Sequence, residues 1–217
     1  MYKRITSYGA GAVDQTRRLT FSAADTYFPR IAISLSGLSV NIVYWDYSEV
    51  FYKHIYASGA GSYDTRRLTL DAQVGIGLDI ATSVGADDQY VYVVYAALWP
   101  GNEEIMYKRL DNWGETGFNV IMARLTYSDS DSFWPSIGFD PVQNSVVVSY
   151  DDNWPGNRDV MLRRLPNYGA DGFVGQRLSW GSGVSIYSSV SANSEWTFIA
   201  WQDSTSGNNE IYFKRGT

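Results

Sequence analysis

Cysteine is absent from the sequence. That single absence excludes disulfides, thiolate catalysis, zinc fingers and iron–sulfur clusters, and it leaves the redox compartment open. No stretch nears the ~18 apolar residues of a membrane helix, and Met1-Tyr2-Lys3-Arg4-Ile5-Thr6 is not followed by the apolar run of a signal peptide. Blocks of positive charge are missing too: the 17 Lys and Arg are scattered and outweighed, the formal net charge is -6, and nucleic acid is not an expected partner. There is no Ser-His-Asp set, no Gly-rich phosphate loop and no clustered metal-ligand pattern, so neither catalytic residues nor a metal or cofactor is expected.

What the chain does have is aromatic residues, 17 Tyr and 8 Trp among 217 residues, and a period. Tyr2-Lys3-Arg4 returns as Tyr52-Lys53-His54, Tyr107-Lys108-Arg109, Leu162-Arg163-Arg164 and Phe213-Lys214-Arg215, in steps of 50, 55, 55 and 51 residues. Arg18-Leu19-Thr20, Arg67-Leu68-Thr69, Arg124-Leu125-Thr126 and Arg177-Leu178-Ser179 keep the same step. His54, the single histidine, stands where other repeats have Arg, which marks it as a substituted repeat position and not as a general base.

Two more strand-like runs lie between these markers. One is typified by Phe28-Pro29-Arg30-Ile31-Ala32-Ile33 and Phe133-Trp134-Pro135-Ser136-Ile137, with fainter echoes at 78–82 and 187–191; the other by Asn41-Ile42-Val43-Tyr44-Trp45-Asp46 and Val146-Val147-Val148-Ser149-Tyr150. They are short, rich in β-branched and aromatic residues, and closed by Gly, Asn, Asp or Pro, which favours strands over helices. Four strands per repeat of this length predict an all-β fold, a β-propeller of four-stranded antiparallel blades with about four blades in the chain. The expected domain is a single propeller over 1–217, with repeats near 1–49, 50–104, 105–159 and 160–210 and a closing strand at 211–217. One strand is in surplus, because the Tyr-Lys-Arg type occurs five times. The Arg18 strand can complete the last blade and close a four-bladed ring; the alternatives are an arc completed by oligomerisation with a second copy, and a piece of a larger ring.

At these residues the sequence resembles the bacterial-neuraminidase-repeat (Asp-box, sialidase-like) propellers. The last repeat carries the likeness best, in Trp201-Gln202-Asp203, Gly207-Asn208-Asn209-Glu210 and Ile211-Tyr212-Phe213-Lys214-Arg215; the third has Tyr150-Asp151-Asp152 and Gly156-Asn157-Arg158-Asp159. The second repeat has Ala97 in place of the Asp, and the first lacks the Gly-Asn turn. The family's Asp-box survives only as remnants such as Asn112-Trp113-Gly114-Glu115-Thr116 and Asn167-Tyr168-Gly169. The resemblance implies a secreted or extracytoplasmic setting, although this chain shows no signal peptide. It also implies what catalysis would require: an Arg clamp for a carboxylate, a Tyr–Glu nucleophile pair and an acid Asp. Only Arg30 lies on an inner-strand motif, so that set is not recognisable.

The candidate site residues are therefore ligand-binding ones. Asp46, Asp152 and Asp203 end the second strands, where turn capping through the side chain competes with ligand contact. Trp99-Pro100-Gly101-Asn102 and Trp154-Pro155-Gly156-Asn157 place a large aromatic beside a tight turn, so that Trp99, Asn102, Trp154 and Asn157 suit either a sugar-stacking platform or packing between blades. Loop residues Trp113, Tyr168 and Trp180 share that ambiguity. The acidic loop Ser128-Asp129-Ser130-Asp131-Ser132 offers oxygens but lacks the Gly and distal Glu of a calcium loop, and reads as solvated. The expected function is a non-enzymatic binding or scaffold propeller for a glycan or protein ligand. The alternatives are a reduced hydrolase using Asp46, Asp152 or Asp203 with Arg30, and a structural module that forms a homo-oligomer.

Overall fold

The structure, a computed structural model, describes residues 2–5, 13–34, 39–47, 49–56, 63–69, 74–82, 90–98, 101–111, 121–154 and 156–216. A hairpin of β1 (Tyr2–Ile5) and β2 (Val13–Arg17) leads into the first blade, β3 (Thr26–Ile33), β4 (Ser39–Asp46), β5 (Glu49–Tyr56) and β6 (Tyr63–Arg67). The second blade is β7 (Val74–Thr82), β8 (Val91–Leu98), β9 (Glu103–Leu110) and β10 (Ile121–Arg124). The third is β11 (Ser132–Asp140), β12 (Ser145–Asp152), β13 (Asp159–Leu165) and β14 (Val174–Arg177), with a helical turn, α1 (Pro166–Gly169), between its last two strands. The fourth holds three strands, β15 (Ser185–Ala192), β16 (Thr197–Asp203) and β17 (Glu210–Gly216).

Every sheet is an antiparallel meander in chain order. The innermost strands pack in series, β3 on β7, β7 on β11 and β11 on β15, so the sheets stand as propeller blades around an axis. The expected blade order of strands is thus the observed one, and the repeat limits fall near the start of each third strand. Among the described residues no helix is long and apolar enough to cross a membrane.

The apolar second strands explain how the blades hold together. Along β8, Val91, Val93, Tyr95 and Ala97 join the core shared with the first blade, while Tyr92, Val94 and Ala96 join the core shared with the third. The two-residue period of a strand sends alternate side chains to opposite faces, and here both faces are covered by a neighbour. A continuous apolar run follows necessarily. A third cluster, with Val147, Val160, Val190, Ile199 and Trp201, fastens the third blade to the fourth.

The Arg-Leu-Thr repeat makes a clasp at the blade rim. Arg124 pairs with Glu104 at 2.5 Å and Arg177 with Asp159 at 2.5 Å, both carboxylates being fully buried. The Thr126 hydroxyl donates to Glu104 and accepts from the Ile105 amide; Ser179 does the same for Asp159 and Val160, and Thr69 for Glu49 and Val50. Arg124 and Arg177 then lie over the rings of Tyr127 and Trp180 at 4.7 and 4.6 Å, a cation–π contact that gives Trp180 a structural role. The Leu of each motif enters the core shared with the following blade: Leu68, Leu125 and Leu178. Leu19 repeats this on the first blade, with Val40, Ile42, Tyr44 and Ile55. In the described structure β2 is paired with β1 and the outer edge of β17 has no paired strand, so no sheet pairing closes the ring among the described residues.

Candidate functional site

Each innermost strand breaks its ladder once, at the same rung. The pairing of β3 with β4 slips between Tyr27 and Arg30, of β7 with β8 between Val74 and Leu78, of β11 with β12 between Phe133 and Ser136, and of β15 with β16 between Ile186 and Ser189. Inside each break one residue adopts positive φ: Phe28 (51°), Gly77 (117°), Trp134 (48°) and Tyr187 (56°). Only glycine takes this conformation freely, and for bulky aromatics it is a strained outlier of the sort that gathers at functional positions. A bulge re-aims side chains, and here Trp134 and Tyr187 line one cavity together with Gly77.

The result is an axial cavity of about 440 Å³ lined by all four blades, with Arg30, Gly77, Asp79, Trp134, Ser136, Tyr187 and Ser189 in its wall. Phe28 meets Trp134 across the axis edge to face at 6.2 Å, and Trp134 meets Tyr187 at 5.4 Å. The registers place Arg30, Asp79, Ser136 and Ser189 at one equivalent rung, opposite Val43, Val94, Ser149 and Ala200. The rim clasps repeat their chemistry from blade to blade. This rung carries a cation, an anion and two hydroxyls.

Asp79 is the organising group. One carboxylate oxygen accepts the Ser136 hydroxyl and the Ile137 amide, each at 3.0 Å; the other accepts the Ile80 amide at 2.9 Å. Burial pushes its carboxyl above the ordinary carboxylate value, and these donors together with the Arg30 guanidinium oppose that rise. Arg30 Nε lies 4.0 Å from Asp79 while its side chain stays 44% exposed, a weak pairing that leaves guanidinium donors facing the cavity.

The other sequence candidates lie at the same end of the blades, because Asp46, Asp152 and Asp203 pair directly with Thr26, Ser132 and Ser185, at the start of the innermost strands. The carboxylates of Asp152 and Asp203 are engaged in turns. Asp152 accepts the Ser132 hydroxyl at 3.0 Å and the Trp154 amide at 2.7 Å, and burial raises its carboxyl value. Asp203 accepts the Ser185 hydroxyl at 2.6 Å, the Thr205 amide at 2.8 Å and the Trp201 indole at 3.3 Å. Burial pushes this carboxyl up, but the donors outweigh it and hold the group below its ordinary value. Asp46 accepts the Ser22 hydroxyl at 3.0 Å.

Asn102 and Asn157 anchor loops. The Asn102 side-chain amide donates to the Ser128 and Ser130 carbonyls at 3.1 and 2.8 Å, and that of Asn157 to the Gly181 and Gly183 carbonyls at 3.0 and 2.7 Å. The acidic 128–132 loop is thereby tied to its own blade, with Asp131 accepting the Glu103 amide at 2.8 Å. Trp154 is 56% exposed at its turn; Trp99 and Trp113 lie outside the described residues. Among the described residues no group of three or more His, Asp or Glu is placed to hold a metal ion.

Of the sequence candidates Arg30 lies in the wall of this cavity; Asp79, Trp134, Ser136, Tyr187 and Ser189, which share it, were not among them. The one signal in the sequence is the β-branched residue that follows this rung in every blade, Ile31, Ile80, Ile137 and Val190.

No protein-family model matches the sequence, and no curated protein is similar to it. Among solved structures, the chain is similar to TolB from Acinetobacter baumannii, with TM-score 0.51 and 14% identity over 88% of this chain and 41% of TolB. It is similar to a D477G ACO/RPE65 chimera with TM-score 0.50 and 10% identity, over 99% of this chain and 55% of the other. A subtype N11 neuraminidase-like protein of a flat-faced bat influenza virus follows at TM-score 0.36 and 11% identity over 89% and 88%, a likeness too slight to bear on the fold. The chain thus spans about half the length, or less, of the first two. Blades, axis and neighbours define a β-propeller.

Proposed function

We propose that the protein is a non-enzymatic recognition propeller whose ligand enters the axial cavity. The observation that supports this is the mixed chemistry of the cavity rung, Arg30, Asp79, Ser136 and Ser189, beside rim clasps that repeat from blade to blade. Trp134 and Tyr187 offer ring surface, while Arg30 and Ser189 offer donors, the combination that holds a carbohydrate by stacking and hydrogen bonding. The sequence resemblance to neuraminidase-repeat propellers agrees with a carbohydrate-containing ligand. Asp152 and Asp203 are committed to turns, Asp46 accepts the Ser22 hydroxyl and Asp79 accepts three hydrogen bonds, so each of these carboxylates already has donors from the protein itself.

A glycan array probed with wild type, Arg30→Ala, Tyr187→Ala and Trp154→Ala tests this reading. Binding by wild type that is lost in the first two and kept in the third, at unchanged circular dichroism, is the expected result. Loss only in Trp154→Ala moves recognition to the turns. Turnover of a glycoside by wild type, or retention of no glycan, removes the proposal.

A further inference from the structure

The strongest unused feature is the outer edge of β17. In three blades the rung of Ile211 is occupied by Val50, Ile105 and Val160, each 0% exposed; Ile211 itself is 77% exposed. Phe213 is 63% exposed where Tyr52 and Tyr107 are 1% and 0%. Glu210 is exposed as well, whereas its equivalents Glu49, Glu104 and Asp159 are buried in clasps made by Thr69, by Arg124 with Thr126, and by Arg177 with Ser179. The fourth blade therefore carries the acidic and apolar half of a clasp without the strand that completes it.

The complementary half is β2 with Arg18-Leu19-Thr20. The hairpin β1–β2 pairs Tyr2 with Arg17 and Lys3 with Thr16. That is the register of Tyr52 with Arg66 and Lys53 with Thr65 in the first blade, and of Tyr107 with Ala123 and Lys108 with Met122 in the second. β1 thus fills a third-strand place, and β17 is a third strand without an outer partner among the described residues. Leu19 is already seated on the first blade as the Leu of a preceding blade is seated on its successor. The blades also curve tightly enough for Arg30 of the first and Tyr187 of the fourth to line one cavity.

We infer that β17 exchanges with β1 for the place beside β2 of the same chain, closing a four-bladed ring. In the closed form Phe213 stands opposite Arg17, Tyr212 opposite Arg18 and Lys214 opposite Thr16. Arg18 then reaches Glu210, and the Thr20 hydroxyl bridges Glu210 and the Ile211 amide, as Ser179 bridges Asp159 and Val160. A chain's own strand is favoured over a second copy's because two strands of one chain find each other at high effective concentration.

The absence of native cysteine makes cross-linking a clean test. Arg17→Cys is combined with Phe213→Cys in one variant and with Tyr2→Cys in another, and both are oxidised and read by mass spectrometry and gel filtration. A monomer that has lost two hydrogens in the Phe213→Cys pair is expected. A disulfide between chains, or closure in the Tyr2→Cys pair alone, overturns the inference. Hydrogen exchange on the unmodified protein gives a second measure: protection of alternate amides at 211–215 beyond those bonded to β16 is expected, and exchange at the free-edge rate overturns it.

Discussion

Ser136 of the third blade donates its hydroxyl proton to Asp79 of the second at 3.0 Å, joining two innermost strands at the rung they share with Arg30 and Ser189. Ser136 is in turn approached by the Val190 amide of the fourth blade at 3.3 Å. The link therefore runs across three blades. Ser136→Ala leaves a buried carboxylate oxygen with one donor fewer and is expected to cost about 1–2 kcal/mol. Urea denaturation should show a lower midpoint at unchanged slope.

The rim clasps make a larger demand. Asp159 is fully buried and its charge is met by Arg177 at 2.5 Å, so Arg177→Met strands a carboxylate. The expected loss is about 3 kcal/mol, detectable as a fall in thermal midpoint. The double variant Arg177→Met with Asp159→Asn should recover part of that loss, because the unpaired charge is gone.

Gly77 occupies φ 117° with Pro135 Cδ and the Trp134 Cα both 2.9 Å from where a Cβ would stand. Gly77→Ala is expected to combine backbone strain with a clash between the second and third blades, for about 2–3 kcal/mol. Gly156→Ala, also at positive φ but with open space around it, provides the control for strain alone and should cost less.

Asp151 is buried, ion-paired to Arg158, and pushed up to about 7 because burial outweighs the attraction of that Arg. A carboxyl whose folded value lies above its unfolded value binds its proton more tightly in the folded state. Its contribution is therefore fully present below about pH 4 and is lost as pH rises toward 7, by up to about 1.4 kcal/mol per pH unit. Urea midpoints at pH 5 and pH 8 should differ through this group in favour of pH 5, and Asp151→Asn should flatten that part of the profile.

How far the sequence speaks depends on whether a residue repeats. Arg124-Leu125-Thr126 and Arg177-Leu178-Ser179 are legible because each residue has one fixed task, pairing, filling and bridging, and each task imposes its own residue type. The second strands are legible because burial on both faces forces unbroken apolar runs. The axial rung is not, since the positive φ of the bulge is met by glycine at Gly77 and by aromatics at Phe28, Trp134 and Tyr187, which hides the alignment that would place Asp79 beside Arg30. Asn102 and Asn157 were visible as turn residues, but their grip on loops about 25 residues onward is set by tertiary approach.

The bulges also separate the fate of the centre from that of the wall. Below each break the ladder resumes its ordinary pairing, so a replacement at Arg30 or Ser189 alters the wall of the cavity without reaching the apolar layers between sheets. The interior mouth can thus be rewritten one spoke at a time, while the hub-and-rim frame keeps its shape.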